Sequence, residues 1–133
     1  MKLSFITSLI VSQLVFLSIS NCSNADDKQN TCTEKQALLN EKRARIRSFA
    51  EASICNETYE CRFIAFGNKP CGGPWEYLVY TTSIDTLEFE NLVSNFNILE
   101  AKYNQECGAI SDCMMVMPPS GLECENNKCI PIY

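Results

Sequence analysis

Eight cysteines fall between positions 32 and 129: Cys32, Cys55, Cys61, Cys71, Cys107, Cys113, Cys124 and Cys129. A ninth, Cys22, stands apart near the N-terminus. The eight constrain the fold more than any hydrophobic pattern does. Paired as disulfides, each bridge contributes about 2–4 kcal/mol, in one account by restricting the unfolded chain. Such a set belongs to an oxidising compartment. Eight cysteines allow 105 pairings, and spacing alone does not choose among them.

The leader supplies the compartment. One positive charge at Lys2 is followed by an apolar stretch over residues 6–19, interrupted by Thr7, Ser8, Ser12, Gln13 and Ser18. It is too short and too interrupted to span a bilayer. A basic start, an apolar centre and small residues at the end predict a signal peptide over residues 1–21. The run Ser18-Ile19-Ser20-Asn21-Cys22 resembles the lipobox of bacterial lipoproteins. Ile19 and Ser20 match its pattern, while Asn21 replaces the usual Gly, Ala or Ser. The resemblance implies that Cys22 carries a lipid anchor and that the chain sits on a bacterial envelope, in the outer membrane or at the surface. The competing expectation is ordinary cleavage near Ser20 and secretion without lipid, with Cys22 in a disulfide. Residues 22–31 have no large apolar side chain and predict a flexible tether. Its reach is about 15–18 Å. Residues 32–133 make one disulfide-stabilised domain.

Charge and composition narrow the chemistry. The chain has 11 basic and 16 acidic residues, and losing Lys2 leaves the mature balance at −6. That balance argues against nucleic acid, whose binding rests on neutralising phosphates. Lys42, Arg43, Arg45 and Arg47 form a local basic run, expected to be one solvated helix side. A docking patch for an acidic partner is the alternative. There is no histidine. This removes Ser-His-Asp and Cys-His nucleophiles and the commonest zinc ligand. No cysteine pair has CxxC spacing, which weighs against a zinc ribbon or a redox dithiol. No metal or cofactor is expected, and no enzyme activity. Paired carboxylates stay formally open, with no motif to select two.

Local signals give an α+β order of α-β-β-α-β-β, two helices packed on a small antiparallel sheet. Thr33 and Gln36 read as a capping box opening a helix to about Ser53, with Leu39, Ile46, Phe49, Ala50 and Ser53 on one stripe. Asp85 and Glu88 open a second helix, stapled by Ile84 and Phe89 and stopped at Gly108. Leu92, Phe96, Leu99 and Tyr103 mark its face. Residues 61–66 and 76–82 read as strands flanking a Gly-Pro loop. Residues 113–117 read as a buried strand, and a hairpin turns at Asn126-Asn127. Two local bridges suggest themselves, Cys124 to Cys129 and Cys55 to Cys61. Cys71 is expected to join Cys113, because one precedes a strand and the other begins one.

Two surface features carry the functional expectation. The loop Lys69-Pro70-Cys71-Gly72-Gly73-Pro74 leads to Trp75 and Tyr77, residue types favoured in recognition hot spots. The bland alternative is a tight turn whose Trp75 seals a small core. Met117-Pro118-Pro119-Ser120-Gly121 is the second, a stiff loop of the kind that small inhibitors present to a hydrolase. The segment from Ile64 through Cys71-Gly72-Gly73-Pro74-Trp75-Glu76-Tyr77-Leu78-Val79-Tyr80, with Ser111-Asp112-Cys113, resembles a group of small cysteine-rich bacterial lipoproteins. That resemblance implies a recurring exported domain and carries no activity with it. The expectation is a non-enzymatic binding module for a protein or glycan partner. The alternative is an inhibitor of an extracellular hydrolase, a protease or a lysozyme.

Overall fold

In the computed structural model, residues 23–133 are described. The expected signal peptide and Cys22 lie outside them. Helix α1 is Ser23–Glu51, strands β1 and β2 are Cys61–Phe66 and Glu76–Thr81, and helix α2 is Thr86–Cys107. Strands β3 and β4 are Gly121–Glu125 and Lys128–Ile132. The α+β class and the order α-β-β-α-β-β stand. The sheet divides in two: β1 pairs antiparallel with β2, and β3 with β4.

Helix α1 starts ten residues before the expected capping box, so Thr33 and Gln36 lie inside it. The stretch taken as a tether is helical from Ser23. It contains neither Pro nor Gly, and extending an existing helix needs no new nucleus. A compact unit runs from Cys32 to Tyr133. Helix α2 begins as its sequence dictates. The Asp85 side chain accepts from the Glu88 N–H at 2.9 Å, and Gly108 closes the far end with φ 64°.

Leu39, Ile46 and Ala50 from α1 meet Phe66, Leu78 and Tyr80 from the β1–β2 sheet and Phe89, Val93 and Phe96 from α2. The buried stripe on α2 is Phe89, Val93, Phe96 and Glu100. Leu92, Leu99 and Tyr103 flank it, partly buried, so the face is turned slightly from the expected one. Steps of 4, 3 and 4 put those four residues on one line, and a charged residue completes it.

Residues 113–117 form no strand. Met114, Met115 and Met117 are exposed. An apolar run reads as buried from sequence, but here the three elements of the core already close on each other.

The bridges join Cys32 to Cys107, Cys55 to Cys124, Cys61 to Cys129 and Cys71 to Cys113. The Cys71 pairing is the expected one, and the two local pairings are not made. Cys124 and Cys129 do face each other across β3 and β4. Each instead reaches to the 55–61 segment. A local staple would close a loop of a few residues, whereas these bridges span 69 and 68 positions and restrict the unfolded chain more. They also attach a hairpin that contributes nothing to the buried core. The hairpin turns at Asn126 and Asn127, with φ 50° and 61°. Two successive left-handed residues match the twist of the strands, and Asn tolerates that conformation.

Candidate functional site

The 67–75 loop and the 109–119 segment come together beside the C-terminal half of α2. Gly67 has φ 81°, and a Cβ there would meet Trp75 Cδ1 at 2.5 Å and Glu100 Oε2 at 3.0 Å. Only glycine allows that approach. The Gly67 N–H donates to Asn97 Oδ1 at 2.7 Å, and the Asn68 N–H to Glu100 Oε2 at 2.6 Å. Asn104 Nδ2 donates to the Asn68 carbonyl at 2.7 Å. Three polar side chains of α2 thus hold the start of the loop.

Glu100 is only 4 % exposed. A buried carboxylate needs a countercharge and donors. Arg43 supplies the first through a short ion pair, and the Asn68 amide supplies a donor. The Arg43 guanidinium also lies 5.3 Å from the centre of the Phe96 ring. Arg47 pairs with Glu76 at 2.5 Å. The basic run is therefore not a single solvated face: Arg43 and Arg47 turn to acids of α2 and β2. Both pairs, with Trp75 and Tyr103, line a groove of about 520 Å³.

Lys69 is 5 % exposed. Its ammonium donates to Asp112 Oδ1 at 2.9 Å and to the Met114 carbonyl at 2.8 Å, and it lies 5.2 Å from the Trp75 ring centre. That charge holds the Asp112 carboxyl below its usual range, chiefly by its hydrogen bond. Beside it the Cys71 to Cys113 bridge joins the same two segments covalently. The segment is thus tied by a disulfide and a buried lysine, while Ile110, Met114, Met115 and Met117 remain exposed at 93, 72, 83 and 62 %. Downstream, Pro119 is buried and the Ser120 N–H donates to the Ile132 carbonyl at 2.7 Å.

Of the residues singled out from sequence, Trp75 stands at the groove, 39 % exposed. Tyr77 does not join it in ring packing: its contact is edge-on with Phe63, centroids 5.7 Å apart. Pro118 is exposed, and Pro119 is an anchor rather than a contact surface. Sequence reading missed Lys69, Glu100 and the exposure of the methionines. Lys69 left a trace. Once Cys71 is joined to Cys113, a lysine two positions before one and an aspartate just before the other are opposite charges at the same crossing.

The sulfurs of Cys55, Cys61 and Cys129 lie within 4.8 Å of one another. All three are in disulfides, which leaves no thiolate to ligate a metal. Among the described residues no helix is long and apolar enough to cross a membrane. No family model matches the chain, and neither a curated protein nor a solved structure matches it.

Proposed function

We propose that this chain is an exported, non-enzymatic binding module, anchored to a bacterial envelope through a lipid on Cys22, that engages a protein partner with the stapled segment 109–119. The observation that carries this reading is the pairing of rigidity with apolar exposure. Ile110, Met114, Met115 and Met117 face solvent on a segment fixed by the Cys71 to Cys113 bridge and by Lys69. Several exposed apolar side chains within one short segment are a common mark of an interaction surface. Fixing the segment beforehand lowers the entropy lost on binding. The four disulfides support an oxidising location. The groove supports a non-enzymatic role, because Glu76 and Glu100 are each engaged by an arginine.

Two measurements test it. Intact mass of the membrane fraction, alkylated with and without reduction, should give an acylated Cys22 and no free thiol. A photo-crosslinking residue at Met115 should give one discrete protein adduct, and the same residue at exposed Leu87 on α2 should not. Identical or absent adducts from both positions count against the surface.

A glycan partner is the second reading. It rests on the groove, where Trp75 and Tyr103 stand among Gln36, Asn104 and the two Arg–Glu pairs. Tyr103→Ala should abolish glycan capture and leave the Met115 adduct intact.

A further inference from the structure

We propose that residues 113–117 form a substrate-like inhibitory strand for a serine protease with an apolar specificity pocket, and that Met115 is the side chain that enters the pocket. This rests on the protein-binding reading above and names the partner's class.

A protease binds its substrate as an extended strand, pairing main-chain groups and seating one side chain in a pocket. Two of these properties are present in the segment: unpaired main-chain groups and an exposed apolar side chain. No backbone N–H or C=O of Met115, Val116 or Met117 is hydrogen-bonded within the described residues, so these groups are free to pair with an enzyme's edge. Met115 is the most exposed of the three methionines. Its unbranched thioether suits a deep, narrow apolar slot. Residues 113–119 carry no charge. A pocket with a buried carboxylate would therefore be left unpaired by Met115, at a cost that selects against trypsin-like enzymes.

The flanks explain why such a strand would inhibit rather than be consumed. On the N-terminal side, Cys113 is bonded to Cys71, and Lys69 holds both Asp112 and the Met114 carbonyl. On the C-terminal side, Pro119 is buried, and the Ser120 N–H and hydroxyl both donate to the Ile132 carbonyl. Strand β4, which carries Ile132, is itself bridged to Cys61 through Cys129. Hydrolysis of the bond between Met115 and Val116 would add one water, leaving a carboxylate on Met115 and an amine on Val116. Both new ends stay tethered to the same body. The cleaved ends hold their places in the active site, and the reverse reaction competes with release.

The full-length oxidised protein, purified in detergent, is titrated against chymotrypsin, subtilisin and trypsin of known active-site concentration. Expected is one-to-one loss of chymotrypsin or subtilisin activity, with trypsin unaffected. Met115→Arg should move inhibition to trypsin and weaken it against chymotrypsin by about 100-fold, the scale of one buried, unmatched charge. Met115→Leu should retain the original pattern. Met115 is exposed, so its replacement should leave the fold intact, checked by an unchanged unfolding transition together with four disulfides by intact mass. Inhibition of none of the three, or a pattern that Met115→Arg leaves unmoved, overturns the proposal. A discrete Met115 crosslink without protease inhibition sinks the inhibitor and leaves the binding module standing. Loss of both sinks both.

Discussion

The two halves of this domain are held together by different physics. Residues 39–96 supply every member of the buried core, on two helices and one small sheet. Residues 109–133 supply none of it, yet three of the four disulfides end there. The first half is stabilised by removing apolar surface from water and the second by covalent attachment. A small domain runs short of core before it runs short of chain, and crosslinks carry the remainder. A segment fixed in this way is spared the need to bury its apolar side chains. That freedom is what leaves Ile110, Met114, Met115 and Met117 exposed.

The largest expected effect comes from the first half. Phe89 is fully buried, with its ring 5.7 Å from Phe49 and 4.7 Å from Tyr80. Phe89→Ala should cost about 3–5 kcal/mol, read from denaturant unfolding. The whole domain should respond as one transition. If only the 109–133 region loosened, the assignment of the core to the first half would be wrong.

The second half should respond to a different change. Replacing Cys55 and Cys124 together by Ala should cost about 2–4 kcal/mol. Amide exchange should rise first in β3 and β4, since Cys61 to Cys129, the Cys55 N–H to Asn127 bond and the Lys128 contacts to Glu51 and Ser53 would then carry the hairpin. Equal loss of protection in α2 would mean that the hairpin supports the core as well.

Glu100 joins α1 to the loop that carries Cys71. Glu100→Gln keeps the shape and removes the charge opposite Arg43. The expected cost is about 1–3 kcal/mol, from a guanidinium left without its partner in a partly buried site. The 67–75 loop should loosen with it, seen as a change in Trp75 fluorescence. An unchanged spectrum would detach Glu100 from the loop.

How far the sequence reveals these halves follows the same division. The core half was legible because its signals are local. Asp85 and Gly108 mark the ends of α2, and apolar spacing marks both helices. Asn126-Asn127 announces its turn in the same way, by backbone preference. The start of α1 was not legible, because a capping pattern at Thr33 says where a helix is able to begin, not that it must. In the tail, local pattern misleads. Met114 to Met117 carry the composition of a buried strand, and only the closure of the core by other elements puts them outside. The pairings of Cys124 and Cys129 depend on which distant segment the hairpin meets, which no spacing encodes. At the site, Trp75 was visible by type, whereas Glu100 was hidden because charge argues for the surface until its partners are known.

Protonation gives a further test of the core half. Burial, aided by the hydrogen bond to Glu90, pushes the Tyr80 hydroxyl up to about 12. A raised folded value means that its stabilisation is complete below the unfolded value near 10 and is lost as pH rises from there through about 12. Tyrosinate absorbance should show a late step from Tyr80, and Tyr80→Phe should remove it. An unchanged titration in the variant would place the late group elsewhere.

The smallest effect concerns the tie between the halves, Lys69 to Asp112. The Asp112 carboxyl is held low by the Lys69 ammonium, and it is exposed to solvent, so its contribution to global stability is slight. The sign is that of a depressed acid: the tie is intact above the ordinary aspartate range and is lost as pH falls through the lowered folded value. What should respond is local. Proteolytic access at Met114 and Met115 should rise at acid pH while the core transition stays in place. Asp112→Asn should show the raised access already at neutral pH and lose most of the pH dependence. Lys69 would still hold the Met114 carbonyl, and the Cys71 to Cys113 bridge would still hold the chain. If Asp112→Asn leaves access unchanged at every pH, the bridge and the bond from Lys69 to the Met114 carbonyl fix the segment without Asp112.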